Sequence, residues 1–216
     1  MAPPIQPIGI ILETVFTVIS VAFCWLIYYR TREMYELTQH RGIRYFRDAF
    51  LFFGLSYLTR LLLSAVLISF IAMDFFMPRG PLMPLLLLPL GYFSTMGILF
   101  LVFSLMHKSF KGKGPVLFGH ALAIALSIIA FITRSHFILL GLQCALLVIV
   151  VFLSIMQARK FSSTRLLYLL VALLWLINLL IIENRHPFPP GFEVLSQIVS
   201  IIVFVLIYRK AARWVH

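Results

Sequence analysis

Seven apolar stretches, each about 20 residues long, leave this chain few places to fold except a lipid bilayer. They run roughly from Ile8 to Tyr29, Ala49 to Met73, Leu82 to Met106, Pro115 to Thr133, His136 to Gln157, Leu166 to Ile182 and Gly191 to Tyr208. At a rise of about 1.5 Å per residue, each spans the ~30 Å of hydrocarbon. Lipid cannot hydrogen-bond a backbone, so only helices and closed barrels cross it. Barrel strands alternate apolar and polar residues, whereas these runs are uninterrupted, which selects helices. Composition agrees: 62% of residues are hydrophobic and 12% charged, too little polar surface to cover a soluble globule. The expectation is an all-α polytopic membrane protein, a single domain over residues 1–216.

The basic residues set the orientation. Arg30, Arg32, Arg41, Arg44 and Arg47 lie between the first and second stretches, and Lys108, Lys111 and Lys113 between the third and fourth. Arg159, Lys160 and Arg165 follow the fifth, and Arg209, Lys210 and Arg213 the seventh. These fourteen fall on one side, against Arg79, Arg134 and Arg185 on the other. The positive-inside rule places the fourteen in the cytoplasm, with the N-terminus outside and the C-terminus inside the cell membrane. Tyr28, Tyr29, Tyr208 and Trp214 suit anchors at the cytoplasmic interface. No Lys or Arg precedes Arg30, so the first stretch lacks the basic start of a signal peptide and reads as a retained helix. The net charge of +11 is thus explained by topology, and nucleic acid is not an expected partner. The first basic loop is either an extension of helix one, broken at Gly42, or an interfacial helix on anionic lipid.

Polar residues inside the stretches carry the functional signal, because hydrocarbon penalises them. Arg60, near the middle of the second, costs about 2.5–3.5 kcal/mol there. Glu13 can pair with it if helices one and two are neighbours. Such a pair either locks two helices together or lines a cavity that recognises an anion or couples to a proton. Helix direction gives each polar residue a depth. Glu13, Tyr92, Ser94, Thr95, Gln143, Asn178, Glu183, Glu193 and Gln197 fall in the outer half or at its edge. The inner half holds little besides Ser104, His120, Ser127 and Ser154. The candidate intramembrane polar site is therefore Glu13, Arg60, Tyr92, Gln143, Asn178 and Gln197, in a cavity opening outward.

Several chemistries are not expected. Cys24 and Cys144 lie inside apolar runs and read as small buried hydrophobes. No histidine pair has ligand spacing, so neither a metal nor another cofactor is implied. His120 alone sits where it would titrate inside a bundle, and a helix–helix hydrogen bond suits it. A retinal Schiff base needs a lysine within a helix, and the seventh stretch has none before Lys210. Asp48 and Asp74 lie at opposite ends of one helix, too far apart for a catalytic dyad. No enzyme is expected. Pro84, Pro89, Gly91 and Gly97 make the third helix the one most prone to bend.

A weak internal repeat sets ILETVF beside LGLQCA and LSYLTRLLL beside LLWLINLLI, placing Glu13 opposite Gln143 and Arg60 opposite Asn178. It suggests two parallel three-helix units joined by the fourth helix. Count, orientation and repeat resemble the PQ-loop and SWEET group of transporters, which implies that 3+1+3 arrangement and a transport role. The sequence departs from that group in having no Pro-Gln motif or interior prolines in the first two helices of each unit, which puts its hinged transport cycle in doubt. The stretch YELTQHRGIRYFRDAFLFFGLSYLTRLLL also resembles small uncharacterised archaeal membrane proteins. The functional expectation is small-solute binding or transport. Alternatives are a seven-helix sensor acting through a protein partner at the basic cytoplasmic loops, and an accessory subunit of a membrane complex. Membrane lipid is the one partner every reading shares.

Overall fold

In a computed structural model, the chain is described over residues 7–72, 79–109, 112, 114–133, 136–157, 162–183 and 191–212. Its side chains are described over 11–66, 68–69, 88–109, 112, 114–133, 137–156, 165–179, 191–192 and 194–212. The side chains of Glu183 and Glu193, and Pro187, Pro189 and Pro190, lie outside these. The described residues form seven α-helices: α1 (Pro7–Thr38), α2 (Arg41–Ala72), α3 (Arg79–Leu105), α4 (Gly114–Thr133), α5 (His136–Gln157), α6 (Ser162–Glu183) and α7 (Phe192–Ala212). Among the described residues, six are long and apolar enough to cross a membrane, and α6 contributes a shorter apolar stretch, Arg165–Leu179. The chain is a multi-pass helical membrane protein. Large apolar side chains such as Leu117, Phe118, Phe137, Val148 and Phe152 are exposed on its outer faces, where acyl chains are the matching solvent.

The neighbours form a circuit. Helix α2 packs between α1 and α3, α3 meets α5, α5 meets α6, α6 meets α7, and α7 returns to α1. Helix α4 stands outside it, against α3 and α5. Small residues allow that contact: Gly119, Ala123, Ser127 and Ala130 form the buried stripe of α4. Helix α3 is the most enclosed, with every residue from Ser94 to Leu101 buried.

The aromatic face of α2 fills the centre. Phe46 packs edge-on to Tyr168 of α6, and Tyr57 reaches both Trp175 of α6 and Phe204 of α7. Phe53 stacks on Trp175 with ring centroids 4.5 Å apart. On its other side Phe53 lies against Gly97 of α3, where an added Cβ would overlap the ring. Gly97 is thus what allows α2 and α3 to approach.

Helices α1 and α2 are each 32 residues long. At 1.5 Å per residue that is about 48 Å, well beyond the ~30 Å of hydrocarbon. The first helix therefore continues past its apolar stretch, and the interfacial helix does not form. The break is not at Gly42. It falls at Gln39 and His40: Gln39 takes a left-handed φ of 52° and donates its N–H to the Tyr35 carbonyl. The His40 carbonyl then accepts the N–H groups of Ile43 and Arg44, starting α2. Gly42 is buried in the first turn of α2, where its carbonyl accepts the Ser104 hydroxyl at 2.6 Å. Ser104 also meets the Tyr168 hydroxyl at 2.6 Å, tying α2, α3 and α6 together at this end. Along the extended hairpin, Arg47 binds Asp48 and lies over the rings of Tyr28 and Tyr35.

Two predictions follow from this packing. Gly97→Ala should lower stability by about 1–3 kcal/mol, the range for overpacking a tight contact. Gly141→Ala, where nothing lies within 4 Å of the added carbon, should leave it unchanged or slightly raised. Thermal unfolding in detergent compares the two. At the hairpin, the His40 ring packs on His107 at 4.6 Å, and burial, then His107 and Lys108, lower its pKa from 6.5. A depressed folded pKa means the unfolded chain binds the proton more readily. The stability from neutral His40 is then complete above the unfolded value and lost as pH falls through the folded one. His40→Gln should flatten the fall of the thermal midpoint below pH 6.5.

Candidate functional site

Where α2, α3, α5 and α6 converge, a cavity of about 40 Å³ opens among the side chains. Its walls include Ser56, Tyr57 and Arg60 of α2, Ser94 of α3, Gln143 of α5, and Trp175 and Asn178 of α6, closed by leucines. A water needs roughly 10–15 Å³ by this measure, so the space holds about three. Gln143 is two turns into α5 and Asn178 near the end of α6, which puts the cavity in the half of the bundle remote from the α1–α2 hairpin.

Arg60 is anchored to Glu13 of α1, its Nη2 donating to Glu13 Oε1 at 3.0 Å. The Arg60 side chain is 10% exposed and that of Glu13 38% exposed, so the pair runs from the interior toward the surface. Pairing offsets part of the cost of placing Arg60 at this depth. The remaining N–H donors of Arg60 find no further acceptor among the described residues. Gln143 is held from α3: its Nε2 donates to Ser94 Oγ at 2.6 Å and to Thr95 Oγ1 at 3.3 Å.

Asn178 is held at one end only. Its Nδ2 donates to the Leu174 carbonyl one turn back, while its Oδ1 is buried without a partner. Trp175 Nε1 is likewise buried and unpaired among the described residues, while the Tyr57 hydroxyl lies beside Ser20 of α1. An unsatisfied buried polar atom costs about 1–3 kcal/mol, and two residues that line this cavity, Trp175 and Asn178, each carry one. The lining carries the Arg60 guanidinium, the amides of Gln143 and Asn178 and the hydroxyls of Ser56, Tyr57 and Ser94, so it holds both donors and acceptors.

The structure brings Arg60, Gln143 and Asn178 into one cavity and joins Glu13 to it through the ion pair. Two other candidates lie elsewhere. Tyr92, half-buried, has its hydroxyl 2.8 Å from His120 Nδ1 on α4, within an aromatic cluster that includes Phe52 and Phe93. Gln197 is buried on α7 but is not among the lining residues. Depth along a helix does not give the face, and these two point to other neighbours. Sequence reasoning missed Ser56, Tyr57 and Trp175. Helical spacing was the available signal: Ser56 and Tyr57 stand four and three residues before Arg60, and Trp175 three before Asn178, on the same faces.

No family model and no solved structure matches the chain. The chain is 32% identical over 219 residues to an uncharacterised protein of Archaeoglobus fulgidus, covering 96% of this chain and 93% of that one.

Removing a satisfied group and an unsatisfied one should have opposite consequences. Gln143→Leu deletes the bonds to α3 and should cost about 1–2 kcal/mol. Asn178→Leu removes an acceptor that has no partner and should be neutral or stabilising. Unfolding midpoints in detergent rank the two variants, and a larger loss for Asn178→Leu would show that its oxygen has a partner.

Proposed function

We propose that this chain, which belongs to the same family as the Archaeoglobus fulgidus protein, binds or transports a small polar solute across the cell membrane. In this reading all seven helices span the bilayer, with the N-terminus outside, the C-terminus in the cytoplasm and the cavity opening outward. The observation that carries it is the convergence of Arg60, Gln143 and Asn178 on one cavity inside the bundle. A charged side chain and two amides lining one space are costly in hydrocarbon, and a binding site gives a reason to carry that cost. The neighbour pattern supports a 3+1+3 arrangement: α1–α2–α3 and α5–α6–α7 each pack in chain order, joined through α3 with α5 and α7 with α1.

A sensor reading has separate support in the α1–α2 hairpin, which extends past the apolar stretches and exposes Arg32, Arg41 and Arg44. A cytoplasmic protein partner would dock there, and cross-linking from Arg41→Cys in intact cells would capture it.

Proteoliposome uptake of a panel of labelled polar solutes tests the transport reading. At least one solute should enter above the protein-free background, and Arg60→Ala should lower its rate about tenfold or more, the equivalent of one charge-assisted contact. Uptake of every solute at background, with none bound by the detergent-purified protein, removes the reading.

A further inference from the structure

We propose that an anionic phospholipid seats an acyl chain in the groove between α3 and α4, with its phosphate at the lysine-bearing segment that joins these helices. The groove has a volume of about 320 Å³ and shares no lining residue with the Arg60 cavity. Every residue lining it is apolar, from Leu99 and Phe103 of α3 to Phe118 and Leu122 of α4. Two glycines shape it. At Gly119 an added Cβ would meet the Phe103 ring at 2.8 Å, so α4 is seated closely on α3 there. At Gly114, the first residue of α4, nothing lies within 4 Å of an added Cβ, so this end of the groove is open. From Gly114 to Leu122 the wall runs about 12 Å along α4. The groove therefore starts at the end of the bundle and runs down into an apolar span, which is the path of an acyl chain below its headgroup.

Charge selects the headgroup. The segment between α3 and α4, residues 106–113, carries Lys108, Lys111 and Lys113 and no acidic residue. Lys108 is exposed, and Lys113 is the chain neighbour of Gly114 at the open end. The basic residues of the α1–α2 hairpin have carboxylates beside them: Arg30 binds Glu33, Arg32 binds Glu36 and Arg47 binds Asp48. No Asp or Glu occurs between Asp74 and Glu183, so α3, α4 and α5 offer the three lysines none. An acidic phosphate from the bilayer supplies the missing anion, as it does for basic clusters at a membrane surface. A zwitterionic headgroup brings its own cation and supplies less. A second copy of this chain, seated through its own α3–α4 face, would bring lysine against lysine.

Native mass spectrometry of the purified, delipidated full-length chain tests this, with phosphatidylglycerol and phosphatidylcholine of identical acyl chains as probes. Phosphatidylglycerol should bind about tenfold more tightly, the effect of one or two charge contacts at the membrane surface. Lys108→Gln, Lys111→Gln and Lys113→Gln together should bring it down to the level of phosphatidylcholine. Gly114→Leu fills the open end without meeting a neighbour at its Cβ, and should weaken both lipids several-fold. Gly141→Leu on α5, whose Cβ is equally free of contacts, should change neither. Equal binding of the two lipids overturns the proposal. So does phosphatidylglycerol binding that survives the lysine or the Gly114 substitution, or that Gly141→Leu weakens as much. A dimer that Gly114→Leu dissociates would give the groove to a second copy and overturn it as well.

Discussion

The contact on which the rest of the bundle depends is the seat of Phe53 between Gly97 of α3 and Trp175 of α6. Without a side chain at Gly97, α2 approaches α3 closely enough for an aromatic ring to lie on the α3 backbone. The opposite face of that ring stacks on Trp175. One side chain therefore sets the spacing of three helices. It also fixes Trp175, one of the side chains that line the cavity. In lipid there is little hydrophobic force between helices, so such interlocking surfaces and buried polar bonds have to supply the specificity. The second anchor, at the other end, is polar: Gly42, Ser104 and Tyr168 join α2, α3 and α6 through a shared hydroxyl.

Between these anchors the polar groups divide into two kinds. Thr17, Thr31, Thr59 and Ser64 donate to carbonyls on their own helices and are satisfied locally. Gln143 is satisfied across helices, from α5 to α3. Asn178 Oδ1 and Trp175 Nε1 are neither, and the same holds for the hydroxyls of Ser154 and Ser200 away from the cavity. Arg60 stands between the two kinds, paired at one end with Glu13 and open toward the cavity at the other. Polar groups near each other in a membrane normally find one another, because the alternative is an unpaired group in hydrocarbon.

Much of the fold was legible because hydrocarbon imposes a length. The apolar stretches gave the helices, and the polar residues inside them gave Arg60, Glu13, Gln143 and Asn178. What was not legible follows from physics that hydropathy does not encode. The hairpin extension of α1 and α2 is polar, so an apolar window ends where the helix goes on. Gly42 read as a breaker, yet it is buried within a helix where its carbonyl is needed by Ser104. Tyr57 and Trp175 vanished among apolar neighbours, since an aromatic residue in such a run reads as core until it is seen lining a cavity. Tyr92 and Gln197 were placed by depth, and depth is silent about azimuth.

The two faces of Phe53 are not equally strong. Its contact with Gly97 is steric and shared with the long α2–α3 interface, so separating those helices means giving up many packed atoms at once. Its stack on Trp175 is a single aromatic pair, worth about 0.5–1.5 kcal/mol beyond the area it buries. The cavity is walled by α2, α3, α5 and α6. Its lining also differs in stiffness: Gln143 is bonded to α3, while Asn178 and Trp175 on α6 make no polar bond to another helix through the amide or the indole nitrogen. Helix α6 therefore meets α2 and α3 through rings and the Tyr168 hydroxyl rather than through Trp175 Nε1 or the Asn178 amide.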